Sequence, residues 1–274
     1  MMKNKKIFHS GAGRIGKINM YTMSLYESGD SNGLASLQAM YDGTQKNLSV
    51  KLPSLEQLAN LIIRGGWPKN IRTNEKNVGL IPNSYLNSIL DKDMNDDKKR
   101  DKHKMLMILK SLARNDSTTA SNQVLHKDIE NYSTSDELIE SRATLIDYLY
   151  VLNRLHLLSN QDAYSENYRS KDRVGKSFKR HYVDPSLACA SLNLNSTKLL
   201  KDLKTFGFMF ESLVERDLRI YIEYLGGNIY HFRDNVTGLE VDAILEFADG
   251  DYAAVEVKLG YNAIDEAKKN LLKF

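Results

Sequence analysis

Apolar residues recur at three- and four-residue spacing in the first half of the chain, which predicts helices. The stripe over residues 55–64 begins at a capping pair, Ser54 and Gln57, in which each side chain can satisfy the other's backbone N–H. A second stripe lies around residues 83–93. Ahead of both, residues 18–25 are more typical of a strand, so the chain is predicted to enter a helical region from an extended segment.

Three helical stripes followed by two short apolar segments occupy residues 105–185, an order typical of a winged helix. The segment between the two apolar segments is basic, so its loop is expected to contact DNA phosphates while the third helix lies in the major groove. The residues expected to bind nucleic acid are Arg142, Lys171, Arg173, Lys176, Lys179 and Arg180. The alternative is a winged helix that only docks a protein, with a solvated charged loop.

The last ninety residues predict a mixed α/β unit. A long helix is expected over residues 205–225, then strands over 228–233, 240–247 and 252–259, and a closing helix. In the middle strand, alternate residues from Val241 onward are expected to share one apolar face. The whole chain is therefore predicted as an α+β, mixed α/β protein, with a helical region and a winged helix before an αβββα core.

The turn between the second and third of these strands determines which side chains face each other. If Phe247 pairs with Asp251, Asp242 lies directly opposite Glu256 on one face of the sheet, with Cβ atoms about 5 Å apart. Two ionised carboxylates at that distance repel each other unless a cation lies between them. Hard oxygen ligands favour Mg²⁺, with Mn²⁺ as a substitute.

Two further side chains complete this candidate site. Lys258 lies one pleat beyond Glu256, where an ammonium could orient a water or stabilise negative charge on a phosphate. Glu211, on the preceding helix, could add a third carboxylate to the ion. The predicted catalytic residues are therefore Asp242, Glu256, Lys258 and Glu211, and the predicted metal ligands are Asp242, Glu256 and Glu211. The alternative is an ordinary sheet with a charged, solvent-facing side.

Composition and charge restrict the class of protein without deciding its function. The chain has 274 residues, enough for about two domains, and 42% of them are hydrophobic, which allows real cores. A net charge of +3 is too small to indicate nucleic-acid binding by itself. The single cysteine, Cys189, suits a reducing cytoplasm and is expected to be a small buried residue. We expect neither a membrane span nor a secretion signal.

A glycine-rich segment near the N-terminus, residues 11–16, matches the letters of a dinucleotide fingerprint. That fingerprint needs a strand before it and a helix within it, and the following residues do not supply a βαβ unit. The phosphate-loop pattern G-x-x-x-x-G-K-[ST] is also missing from the sequence. We therefore expect no nucleotide site in this chain.

Several longer motifs carry a family resemblance. They are His9–Ile15, Met23–Gly29, Ile63–Pro68, Tyr182–Ala188, Phe206–Leu213, Gly238–Asp242 and Glu256–Lys258. With these motifs the chain resembles a bacterial and archaeal family that joins an AAA-type P-loop ATPase to a C-terminal domain of unknown function with a restriction-endonuclease-like, PD-(D/E)xK fold. The chain departs from that pattern at both ends, because the ATPase body and the terminal strand are missing. It is therefore expected to be a fragment, a split gene product or a trimmed chain, whose ATPase domain is encoded separately or lost.

The resemblance and the residue patterns together suggest four segments. Residues 1–50 are expected to be the tail of an ATPase-like domain, 51–104 a helical connector, 105–185 the winged-helix-like domain and 186–274 the endonuclease-like domain. The expected function is a DNA-associated, metal-dependent nuclease-like module in the cytoplasm. The alternative is a non-catalytic DNA- or protein-binding regulatory module of an AAA-type ATPase, so enzymatic activity is left open.

Overall fold

The regular structure follows the apolar stripes of the sequence closely. The structure, a computed structural model, describes residues 16, 18–46, 52–74, 77–93, 100–131, 141–171 and 175–274. Within them lie ten α-helices: Leu37–Tyr41 (α1), Leu55–Arg64 (α2), Leu80–Ser88 (α3), Lys102–Arg114 (α4), Asn122–Glu130 (α5), Arg142–Arg154 (α6), Pro185–Ser191 (α7), Ser196–Lys201 (α8), Leu203–Tyr224 (α9) and Ile264–Leu271 (α10). The predicted mixed α/β class is confirmed.

The predicted start and end of α2 are confirmed in detail. The Ser54 hydroxyl accepts from the backbone N–H of Gln57 at 3.2 Å, and the Gln57 side chain accepts from the backbone N–H of Ser54 at 2.9 Å. The helix ends at Gly65, whose φ of 65° lies in the left-handed region that favours glycine. The expected strand over residues 18–25 is wrong, because Ile18 to Ser24 form no regular strand. Their backbone contact with the core is one bond from Met23 N–H to the Gly66 carbonyl, 2.7 Å.

The three helices α4, α5 and α6 occur where the sequence predicted them, and Ser141 caps α6. Two short antiparallel segments follow α6. Gln161 and Lys179 exchange backbone hydrogen bonds of 2.9 and 2.8 Å, and Leu158 pairs with Tyr182. Thr118, between α4 and α5, also pairs with Arg180. We call residues 157–171 and 175–183 the hairpin segment.

The hairpin segment continues into the C-terminal sheet. The sheet has the order β1-β2-β3-β4, with strands Asp162–Ala163 (β1), Asn228–Arg233 (β2), Glu240–Glu246 (β3) and Tyr252–Val255 (β4). β1 is parallel to β2, whereas the remaining neighbours are antiparallel. Because β1 belongs to the hairpin segment, that segment and the sheet form one hydrogen-bonded layer.

The predicted register of β3 and β4 is confirmed. Ala243 pairs with Val255, and Phe247 N–H donates to the Asp251 carbonyl at 2.8 Å. β4 is shorter than expected and ends at Val255, so the acidic residue opposite Asp242 lies just past the end of the strand.

The sequence predicts that Val241 shares one apolar face of β3 with Ala243, and a β-bulge in β3 makes this prediction wrong. The pairing shifts by one residue between Tyr230 and Phe232, so that two residues of β3 lie opposite one residue of β2. As a result Val241 packs with Ile244 in one buried cluster, whereas Ala243 belongs to another. Bulges bend a strand and re-aim side chains, often beside functional sites. Asp242 lies at this bulge.

The largest apolar cluster joins buried side chains from α2, beginning with Leu58, through to Leu213 on α9. The expected boundaries after residues 104 and 185 both fall inside this cluster. Cys189 lies within it, 1% exposed, and burial raises the pKa of its thiol, in agreement with the expected small buried residue. Of the charged run Asp96–Lys104, which lies at the first of these boundaries, residues 96–99 lie outside the described residues.

Candidate active site

Asp242 occupies the centre of the candidate site, and its two oxygens face different partners. Its Oδ1 lies 3.3 Å from the Lys179 Nζ. Its Oδ2 accepts from the backbone N–H of Val257 at 2.9 Å and lies 4.0 Å from the Lys258 Nζ. The bulge and the end of β4 produce this arrangement, because a side-chain carboxylate takes the place of a backbone acceptor for Val257.

Glu256 lies next to Asp242 with one oxygen satisfied and one not. Its Oε1 accepts from the Lys258 Nζ at 2.7 Å, so this one ammonium contacts both carboxylates. The Glu256 side chain is 6% exposed, and its Oε2 is buried without a hydrogen-bond partner among the described residues. Burial raises the pKa of Glu256; the hydrogen bond from Lys258 opposes this, and the charge of Asp242 adds to it. A buried carboxylate oxygen without a donor is costly unless a ligand satisfies it.

Glu211 reaches the site from α9. Its Oε1 accepts from the Lys179 Nζ at 2.7 Å. Burial raises the pKa of Glu211 to about 7, partly offset by the Lys179 ammonium and increased again by repulsion from Asp242. Pairing with Glu211 and Asp242 in turn keeps the pKa of Lys179 above its usual value despite burial. Glu211 therefore ionises, and the ion pair with Lys179 forms, as the pH rises through this value.

The position of Lys179 differs from the expectation that it lies in an exposed basic loop. It belongs to the paired part of the hairpin segment, its side chain is 1% exposed, and it bridges Glu211 and Asp242. The site is thus a row of alternating charges. We call Glu211, Lys179, Asp242, Lys258 and Glu256, in that order, the carboxylate–lysine row.

The row can accommodate a hard divalent cation at one end better than at the other. Asp242 and Glu256 offer carboxylate oxygens close enough to share one ammonium, and Glu256 has a buried oxygen without a donor. These features fit Mg²⁺ or Mn²⁺. At the other end the Glu211 Oε1, predicted as a metal ligand, binds Lys179. Accordingly, the described His, Cys, Asp and Glu side chains do not form a three-ligand metal group.

The remaining residues expected to bind nucleic acid fall into different environments. Arg142, at the start of α6, and Lys171 are exposed, as a phosphate contact requires. Lys176 donates to the carbonyl of Arg233 at 3.1 Å, and Arg173 lies outside the described residues.

Arg180 is buried rather than exposed at a loop. It is 4% exposed and donates to the Ala120 carbonyl at 2.5 Å and to the Asn122 Oδ1 at 2.6 Å. Its guanidinium therefore ties the hairpin segment to the start of α5. The sequence signal that could have separated Lys179 and Arg180 from the loop is their position between two aromatic residues, Phe178 and Tyr182.

Beneath the row lies a polar layer that the sequence did not reveal. Gln161 donates from Nε2 to the carbonyls of Tyr230, 2.8 Å, and Asp242, 3.2 Å. Its Oε1 lies 3.3 Å from the Nε2 of His181. Burial and the Lys179 charge lower the pKa of His181 well below its usual value, so this imidazole is neutral. Gln161 thereby fixes the backbone of the bulge that carries Asp242.

A separate buried network gathers the motifs of the N-terminal half around Asp184. The carboxylate of Asp184 accepts from Thr22 Oγ1, 2.8 Å, Gly66 N, 2.9 Å, both N and Oγ of Ser186, 3.0 and 2.6 Å, and Arg216 Nη1, 2.9 Å. Both oxygens are satisfied, so this network is a structural connection between the extended N-terminal segment, α7 and α9. We call it the Asp184 network.

Two family models match this chain. Residues 55–198 match the model of DUF8612, a domain of unknown function. The chain belongs to the DUF8612 family. Residues 206–274 match a second model, the domain of unknown function DUF4143, which is often found in AAA-ATPase-associated proteins. Searches of curated proteins and of solved structures found no match. In the part of the chain that the structure describes, every helix is too short or too polar to cross a bilayer.

The two matched segments meet at the carboxylate–lysine row. Lys179 lies in the DUF8612 segment, whereas Glu211, Asp242, Glu256 and Lys258 lie in the DUF4143 segment. The candidate site of this DUF8612 protein is therefore composite, with one buried cation supplied by the first segment to the acidic residues of the second.

Proposed function

We propose that this protein is a DNA-associated, metal-dependent nuclease-like module that hydrolyses phosphodiesters. The observation that carries the proposal is the juxtaposition of Asp242 and Glu256, which share the Lys258 ammonium while Glu256 retains a buried oxygen without a donor. The order of elements around them, a long helix, three strands and a closing helix, supports a restriction-endonuclease-like core.

The side chains of the row have distinct tasks in this proposal. Asp242 and Glu256 would hold one Mg²⁺ or Mn²⁺, which polarises a phosphoryl oxygen and acidifies a bound water when present. Lys258, 31% exposed, can reach a phosphate and stabilise the charge that develops on it. Glu211 positions Lys179, and through it orients Asp242.

The helical part of the chain supports a role in positioning DNA. Three helices precede a hairpin, and a short third pairing at Thr118 joins that hairpin to the region between α4 and α5, which is the connectivity of a winged helix. Arg142 and Lys171 lie exposed on this unit. The DUF4143 match supports a further proposal, that the module works together with an AAA-type ATPase domain.

The test is cleavage of a supercoiled plasmid by purified protein with Mg²⁺ or Mn²⁺. We expect nicking by the wild type and by Glu56→Gln, a control that removes an exposed acid from α2. Asp242→Asn should abolish nicking while leaving the circular dichroism spectrum unchanged. Nicking that survives in Asp242→Asn would come from a contaminant and would remove the support for this site.

A second candidate function is a non-catalytic DNA- or protein-binding module of an ATPase. Two observations favour it. Lys179 and Lys258 already compensate the carboxylates of the row, and the exposed side of α6 carries apolar Ile146 and Tyr150, 47% and 66% exposed, which suit protein contact. Wild-type protein that never nicks the plasmid yet binds it in a salt-sensitive manner would favour this function.

A further inference from the structure

The charges of the carboxylate–lysine row limit the number of metal ions that it admits, a point that rests on the proposed function. Many phosphodiesterases hold two divalent ions about 3.5–4 Å apart, clamping the attacking and leaving oxygens between them. Here Asp242 is the central carboxylate, with Glu256 on one side and Glu211 on the other. A second ion would therefore have to lie between Asp242 and Glu211.

That second position already contains a cation that belongs to the protein. The Lys179 Nζ lies 2.7 Å from Glu211 Oε1 and 3.3 Å from Asp242 Oδ1. Its side chain is 1% exposed, so a displaced ammonium would have no nearby water to replace these two carboxylates. The backbone pairing of Lys179 with Gln161 also fixes the start of the side chain. An incoming Mg²⁺ would leave the buried Lys179 ammonium without its two carboxylate partners, which opposes binding of the ion.

The charge balance points the same way. With all five side chains ionised, the carboxylate–lysine row carries one net negative charge. One divalent ion converts this to one net positive charge, which the single negative charge of a phosphodiester balances. A second divalent ion would leave a large uncompensated positive charge in a buried site.

We propose that Lys179 is a built-in cation that limits the site to one divalent ion, held by Asp242 and Glu256, and matches it to a monoanionic phosphodiester. Lys179 is a positioning residue here, since it orients Asp242 and excludes a second ion without touching the substrate. The DUF8612 segment thereby sets the metal content of the DUF4143 segment.

The test counts ions instead of measuring turnover. Full-length protein is titrated with Mn²⁺ at pH 8, and bound ions are counted from the loss of the free Mn²⁺ signal in electron paramagnetic resonance. We expect one ion per chain in the wild type and in Lys201→Met, a control that removes an exposed lysine from α8, outside the row. Lys179→Met removes the charge at similar volume and should bind two ions, with the spectral coupling of a close pair.

Each outcome separates this inference from the proposed function. Two ions in the wild type, or one ion in folded Lys179→Met, would overturn the role of Lys179 while leaving a metal-dependent site in place. Loss of the single ion in Asp242→Asn supports the ligand assignment. A wild type that binds no Mn²⁺ would instead overturn the proposed function. If Lys179→Met does not fold, Lys179→Arg, which keeps the charge, must bind one ion, and two would refute the inference.

Discussion

Replacing Asp184 by Asn tests the Asp184 network with a single atom changed. The carboxylate is completely buried and receives five hydrogen bonds, including one from the Arg216 guanidinium. An amide keeps one acceptor oxygen but turns an N–H₂ group towards groups that are themselves donors. It also removes the charge that compensates Arg216, which shares the buried site with Asp217.

The magnitude follows from the burial of the pair. Breaking a buried ion pair by removing one partner costs about 3–5 kcal/mol, because the remaining charge is left without full compensation. This is a large share of the roughly 5–15 kcal/mol that stabilises a typical folded protein. With an m-value of about 3 kcal/mol/M, the urea midpoint of Asp184→Asn should fall by about 1–1.7 M.

Urea unfolding at pH 7, followed by circular dichroism, measures this loss, with Glu56→Gln as a surface control expected to stay within about 0.5 kcal/mol. Burial is the largest single effect on the pKa of Asp184 and raises it, but the Arg216 charge, the Ser186 hydroxyl and two backbone N–H groups together outweigh burial and lower the pKa. Its contribution is therefore present above the unfolded pKa near 3.8 and is lost as pH falls towards the lower folded value. A loss below 1 kcal/mol at pH 7 would refute this account of the network.

Five further substitutions have outcomes that follow directly from the structure. In Gly66→Ala the added Cβ would lie 2.0 Å from the backbone oxygen of Met23, so the free energy of unfolding should fall by about 1–3 kcal/mol. Gly207→Ala places its Cβ in open space inside α9 and should raise the free energy of unfolding by about 0.5–1 kcal/mol. Urea unfolding in which the two variants are equally stable would contradict this reasoning. Burial raises the pKa of Asp116 from 3.8 to about 8, so the folded protein retains a proton that the unfolded chain releases. The free energy of unfolding should therefore decline from about pH 4 to pH 8. Asp116→Asn should flatten that decline, and an unchanged pH profile in the variant would exclude Asp116 as its source. Lys171→Ala should weaken DNA binding on all sequences alike and reduce the slope of log affinity against log salt by about 1 in gel-shift titrations. Unaltered DNA binding by Lys171→Ala would argue against a phosphate contact by the basic loop. Arg180→Ala removes a buried hydrogen bond to the Ala120 carbonyl and should instead lower the midpoint of thermal unfolding.

The elements that depend on nearby residues could be predicted from the sequence. The capping pair at Ser54 and the Gly65 stop define α2, because both act within one helical turn. The register of β3 and β4 follows from a short turn, since Phe247 and Asp251 are close in the chain and leave few alternatives. The opposition of Asp242 and Glu256 is a direct consequence of that register.

Features that depend on distant partners could not be predicted in the same way. The bulge at Asp242 results from pairing between β3 and β2 and shows no local glycine signal. β1 joins the sheet from residues 162–163, more than sixty positions before β2. Lys179 lies in a segment whose composition is that of a basic loop. Its burial is explained by its ion pairs with Glu211 and with Asp242, which is 63 residues away in the chain.

The composite nature of the row has a consequence for how the two family segments act together. Glu211 and Asp242 are partly buried acids whose charges are compensated by Lys179, a residue outside the DUF4143 segment that contains them. Without that ammonium, the raised pKa of Glu211 would increase further and Asp242 would lose the partner on its Oδ1. A movement of the hairpin segment, for example when its exposed basic side binds a partner, would therefore change the charge and geometry of the candidate site directly. This physical coupling makes the DUF8612 and DUF4143 segments one functional unit in the proposed function.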